Sequence, residues 1–165
     1  MAVASKTQIR VADEVWIATA LLHKEHPDRA DFEIDEIVRR ATRETGREPL
    51  RPGVYVHIVQ HCVANRPPNP GRYRILFETA PGRRRLFRQG DAYDPAREGT
   101  KMVPEREDIP SRYAPLLEWY QIWSQGGVRE RIKNDPLLAL YGDGEDLWAD
   151  EPADAYVRRI REGWE

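Results

Sequence analysis

Hydrophobic positions recur with a helical period through the first third of the chain and change to a strand-like alternation near residue 72. In "VADEVWIATALLHK", Val11, Val15, Ala18 and Leu22 lie on one apolar face, widened by Trp16, Ala20 and Leu21, which predicts an amphipathic helix over 11–24. Pro27 breaks the pattern. A second helix is predicted over 34–45, with Ile34, Ile37, Val38 and Ala41 as its stripe and Gly46 at its end. Asp35 and Glu36 suit its first turn. The segment "RPGVYVHIVQHCVAN" predicts a third helix, because Pro52 can stand in a first turn and Val54, Ile58 and Cys62 come at i, i+4 and i+8. Tyr55, Val59 and Val63 widen its buried face, and His57, Gln60, His61 and Ala64 are expected on the opposite side. Its β-branched residues make a strand over "VYVHIV" the competing reading.

The alternating segment "RYRILFETA" is answered by "RRRLFR" across Pro81-Gly82, which predicts a β-hairpin. Three helices and then a hairpin is the order of a winged helix, a helix-turn-helix variant whose hairpin is the wing. The expected fold class is mainly α with a small β-hairpin: a winged helix-turn-helix DNA-binding domain over 1–90, then a linker and a helical, partner-binding extension over 91–165. Within that extension, the proline-punctuated "DAYDPAREGTKMVPEREDIPS" has no periodicity and reads as a linker or a meandering loop. Leu116, Leu117, Trp119, Tyr120 and Trp123 predict a helix from about Ser111 to Gln125, ended by Gly126-Gly127. That helix suits pairing of two copies as a homodimer and completion of a monomer core equally well. "ADAYVRRIREGWE" predicts a short terminal helix with Tyr156, Ile160 and Trp164 at i, i+4 and i+8.

Composition adds a modest core and a large charged surface: 40% hydrophobic and 33% charged residues, with a mean hydropathy of −0.74. No apolar run is long enough to cross a membrane, and the N-terminal residues lack an export signal. Cys62 is the single cysteine, which excludes an internal disulfide and suits a reducing, cytoplasmic location. The net charge of −2 conceals an asymmetry. Residues 1–90 hold 16 Lys+Arg against 11 Asp+Glu, and residues 91–165 hold 10 against 17. Within 46–90 the balance is 9 basic to 2 acidic, whereas 134–157 holds seven acids and no base.

That basic stretch points to double-stranded DNA. Arginines fixed on one surface neutralise phosphates and release counterions, and their forked donors suit phosphate and guanine edges. Arg72 and Arg74 on the first strand, Arg83, Arg84 and Arg85 at the turn and second strand, and Arg88 near its end are the expected phosphate contacts. His57, Gln60, His61 and Asn65 are the expected base readers, with Arg51 and Tyr55 reaching the backbone. A solvated arginine face, or a hairpin that binds an acidic protein or the acidic tail, is the competing reading. His57 and His61 supply two metal ligands at i, i+4, too few for a site, so no metal or cofactor is expected. Cys62 reads as a small buried hydrophobe. No phosphate loop, nucleophile elbow or zinc-protease motif occurs, and Asp143, Glu145, Asp146, Asp150 and Glu151 lack a rigid frame, so no enzyme is expected.

In "DPLLALYGDGEDLWADEPADAYVRRIREGWE", the D-P-L-L-A-L run, the G-D-G turn, L-W-A-D-E and Y-V-R-R-I-R-E-G-W-E resemble the C-terminal segments of VapB-like antitoxins of type II toxin–antitoxin pairs. The likeness covers about a fifth of the chain. It implies a tail that wraps a PIN-domain ribonuclease toxin, with Trp148, Tyr156 and Trp164 as anchors and Arg158, Arg159 or Arg161 facing the toxin's carboxylates. "FEIDEIVRRA" and then "RPGVYVHIVQHCVAN" is similar to a winged-helix module of the kind found beside restriction endonucleases. Together these imply a transcriptional regulator that acts as an antitoxin. The alternatives are a protein-interaction module and a restriction-associated DNA-recognition protein without a toxin.

Overall fold

Val11–Glu25 forms the first helix, α1, in a computed structural model that describes residues 8–134 together with Ala155, Arg158, Arg159 and Arg161. The helix was expected to show one apolar face, yet every residue from Ala12 to Ala20 is buried, because other elements pack around it. Its polar members are answered locally. Lys101 Nζ lies 2.7 Å from Asp13, Arg51 lies 3.4 Å from Glu14, and the Thr19 hydroxyl donates to Val15 O at 2.8 Å. Burial raises the Asp13 carboxyl pKa, and Lys101 opposes that rise.

A two-residue strand, β1 (Phe32–Glu33), leads directly into α2 (Ile34–Thr45). The Glu36 side chain accepts the Glu33 N–H at 2.9 Å, satisfying one donor that the helix start leaves open. Gly46 ends α2 as predicted, in the left-handed conformation at φ 61°, and donates its N–H to Thr42 O.

The third helix is shorter than the sequence pattern predicts. α3 (Val54–Val56) passes into one π-helical turn, His57–His61, where the Cys62 N–H reaches His57 O at 2.9 Å, one residue beyond an α-helical bond. Val54, Ile58 and Cys62 are fully buried, as the period predicts. The extra residue in the turn rotates the chain beyond it. Ala64, expected on the polar side, is therefore wholly buried beside Val63, which is buried as predicted. Tyr55, expected to widen the buried face, is instead 58% exposed, because it precedes the turn and points away from Val54.

β2 (Leu76–Ala80) and β3 (Arg83–Leu86) form the predicted hairpin, and β1 adds to β3. The sheet is antiparallel with order β1-β3-β2. Leu76 faces Leu86, Phe77 faces Arg85 and Glu78 faces Arg84, with a register shift between Glu78 and Ala80. The alternation expected from Arg72 does not hold. Ile75 and Leu76 are both fully buried, and their N–H groups both donate to Cys62 O. Beside β2, Val63 bridges Leu76 in parallel, and the Asn65 amide exchanges two 2.9 Å bonds with the Glu78 backbone.

Residues 91–111 form the meandering loop of the two expected alternatives, packed on the first unit. The chain divides into one unit of Met1–Gly126 and a second of Gly127–Glu165, so the boundary falls well past residue 90. The intervening segment is held by backbone bonds from Asp94 N to Ala64 O and from Arg74 N to Lys101 O, and it buries Arg97 and Ile109. α4 (Ala114–Asn134) then runs through the glycine pair expected to stop it, since Gly126 does not take the positive φ that ends helices. In the first unit, Tyr120 meets Trp16 edge-on at 5.8 Å and Trp119 stacks on Trp123 at 5.6 Å. The fold is mainly helical with a small three-stranded sheet. Among the described residues no helix is long and apolar enough to cross a membrane.

Candidate nucleic-acid interface

Strand geometry decides where the hairpin arginines point. Side chains on a strand alternate with period two, so Arg84 shares a face with the buried Leu86, while Arg83 and Arg85 share the other. Arg84 is accordingly 1% exposed, ion-paired to Glu78 at 2.6 Å and donating to Ile58 O and Val59 O. Burial lowers its pKa, and Glu78 opposes that shift. On the other face Arg83 pairs with Asp31 at 2.6 Å and lies 3.6 Å from Glu33. Arg85 forms a forked pair with Asp91 at 2.6 and 2.9 Å and lies over the Phe77 ring. Arg74 donates to Thr100 O and stacks 4.4 Å from the Tyr93 ring centre, and Arg88 lies over Trp123. Arg72 alone of these six is exposed, and no ion pair joins it among the described residues.

The expected arginine surface is therefore largely an internal clamp. Acids outside residues 46–90, chiefly Asp31, Glu33 and Asp91, answer the local excess of base. A sequence window measured the charge along the chain, and folding redistributed it.

Three of the four side chains expected to read bases are also occupied, and the fourth, His61, has a buried Nδ1 with no partner among the described residues. His57 Nδ1 lies 2.7 Å from Gly53 O, Gln60 donates to Pro67 O at 2.8 Å, and Asn65 holds Glu78. Burial lowers the His57 pKa. His57 and His61 stand edge-to-face at 4.9 Å, and no group of three metal-ligating side chains occurs among the described residues. Cys62 is fully buried, which pushes its thiol pKa up. Arg51 donates to Ile9 O and pairs with Glu14. Tyr55, like Arg72, is an expected contact that remains outward, beside Val56 at 40% exposure. Arg47, in the turn between α2 and α3, is exposed and in no ion pair among the described residues. Sequence reasoning passed over Val56 and Arg47, although Val56 falls about 200° around an α-helix from the buried Val54.

His61 packs against the backbone at Gly71, where a Cβ would stand 2.5 Å from His61 Cβ. Gly71→Ala should therefore destabilise the protein by about 1–3 kcal/mol, since neither the loop nor the start of a packed side chain can yield cheaply. Urea unfolding monitored by tryptophan fluorescence checks this, and an unchanged midpoint would contradict the close approach.

Arg97 is the largest feature the sequence did not reveal. It is fully buried, and among the described residues no carboxylate forms an ion pair with it. Its guanidinium instead donates to backbone carbonyls of Gln60, His61, Arg66, Pro67 and Tyr73. It fixes the path from the π turn to β2.

Of the tail residues, Arg158, Arg159 and Arg161 are helical and exposed, and Trp148, Tyr156 and Trp164 lie outside the described residues. Comparison of the chain with known protein families, curated proteins and solved structures finds no match.

Proposed function

We propose that the first unit is a winged-helix module that binds double-stranded DNA and that the protein acts as a transcriptional regulator. The observation that carries this reading is the sheet order. A short strand between α1 and α2 pairs with the second hairpin strand to give β1-β3-β2, so two helices, α2 and α3, precede a hairpin joined to them through that strand. In this arrangement α3 is the major-groove element and the Pro81-Gly82 turn is the wing tip. The contacts are Tyr55 and Val56 outward on α3, with Arg47 and Arg72 as free cations for phosphate. Arg83, Arg84 and Arg85 hold the wing in place.

Because Arg72 alone of the six hairpin arginines is exposed, the salt dependence should be shallow. Fluorescence anisotropy of a random 30-mer duplex should show binding at about 50 mM salt, with log K falling against log salt at a slope of about −2 to −4. Replacing both Arg47 and Arg72 with Ala should reduce that slope. Absence of binding at low salt would remove the DNA-binding reading and leave the hairpin as a purely structural element.

The likeness of residues 135–165 to VapB-like tails extends the proposal to an antitoxin that represses its own operon and neutralises a PIN-type ribonuclease. Trp148, Tyr156 and Trp164 would anchor the toxin, with Arg158, Arg159 or Arg161 at its acidic site. The role is one of binding and needs no catalysis. Co-expression with a PIN ribonuclease encoded beside this chain should give a complex that survives purification, and deletion of 135–165 should abolish it.

A further inference from the structure

Tyr55 and Val56 stand side by side in solvent on α3, and Ile122 is the one other exposed large hydrophobic among the described residues. Val54, directly before them, is fully buried, so the segment already has its inward anchor. Three neighbouring hydrogen-bonding groups are spent on the protein itself, His57 on Gly53 O, Gln60 on Pro67 O and Arg51 on Ile9 O, and the ring of His61 packs against His57 and Gly71. What α3 offers outward is a pair of branched methyls and a phenol ring with a single hydroxyl, rather than the forked donors that recognise guanine or adenine. In the major groove, the apolar feature of a base pair is the C5 methyl of thymine. Arg47, exposed just ahead of α3 and in no ion pair among the described residues, supplies positive charge for the adjoining phosphates.

We propose that Tyr55 and Val56 recognise thymine methyl groups, so that the preferred duplex is defined by thymines at fixed positions. The inference rests on the DNA-binding reading and deepens it. Arg51, the forked donor at the start of this segment, is engaged by Ile9 O and Glu14.

Deoxyuridine differs from thymidine by that methyl alone, which makes the test direct. The full-length protein selects its preferred site from a duplex pool with a randomised core. Each thymine of that site is then replaced by deoxyuridine and binding is read by anisotropy. At one or more positions the replacement should weaken binding about four-fold, the effect of about 0.8 kcal/mol for one buried methyl. Val56→Ala, checked for native circular dichroism, should bind the thymine and uracil duplexes alike at one of those positions, and Tyr55→Ser should do so at the same or the adjacent one. A change below about two-fold at every position would overturn the proposal while DNA binding stands, and so would a selected site without thymine enrichment. Failure to bind any duplex at low salt would remove both.

Discussion

Arg97→Ala should lower the unfolding free energy by about 3–5 kcal/mol, at the upper end for a single substitution. The guanidinium makes four bonds of 2.7–3.0 Å to the carbonyls of Gln60, His61, Arg66 and Tyr73, and a longer contact of 3.4 Å to Pro67. These acceptors belong to the end of the π turn and the loop that leads to β2, so one side chain supplies donors to two separate backbone stretches. Removing it leaves buried acceptors unpaired and opens a void where a wholly buried side chain had been. Arg97→Lys should recover less than about half of the loss, because an ammonium donates from one atom and cannot span the carbonyls that a planar fork reaches. Urea unfolding of the three proteins decides the matter. An alanine variant within about 1 kcal/mol of the parent would mean that solvent replaces these bonds at little cost.

Acid should destabilise the fold through His23. Its ring is 3% exposed, lies 4.9 Å from the Phe32 ring and 4.6 Å from that of Trp123, and its Nε2 accepts the Leu86 N–H at 3.2 Å. Accepting that bond requires the unprotonated nitrogen. Burial, with Arg88 and Arg85 nearby and Asp31 opposing, lowers its pKa from 6.5 to about 3. The unfolded chain therefore binds a proton that the folded chain refuses. The stabilisation is fully present above pH 6.5 and declines as pH falls towards 3, by about 1.4 kcal/mol per pH unit at most. Between about pH 6.5 and 4.5 the loss should be about 2–3 kcal/mol. His23→Leu should start less stable at neutral pH, having lost the acceptor for Leu86, and should lose less on acidification over that range. Parallel stability curves for the two proteins across it would show that His23 does not carry the effect.

The helices were legible because their signals are local. The stripe of α2, its acidic first turn and Gly46 at its end all act within a few residues, and the structure reproduces its bounds. The hairpin was legible for the same reason, with Pro81-Gly82 at its turn. β1 was not, since two residues carry no periodicity and its partner β3 lies about 50 residues away. Arg84 was expected on the outer surface, but once Leu86 points inward, period two sends Arg84 inward with it. The π turn has no such rule. Its extra residue between His57 and Cys62 rotates the chain that follows, and Ala64, expected on the polar side, is buried as a result. Arg97 sits in a stretch without hydrophobic pattern, and its role exists only in the folded arrangement of five distant carbonyls.

The Asn65 side chain has a consequence for how copies of this protein can meet. A strand with unpaired N–H and C=O groups is a template on which another chain can add itself, the first step of sheet extension and of fibril growth. β2 lies at one border of the sheet, yet Val63 bridges Leu76 and the Asn65 amide fills both positions at Glu78. At the other border β1 is two residues long, and beyond it His23 caps the Leu86 N–H. Both ladders are thus blunted by the molecule's own residues. Another strand adding to the described sheet at β2 would first have to displace the Asn65 side chain.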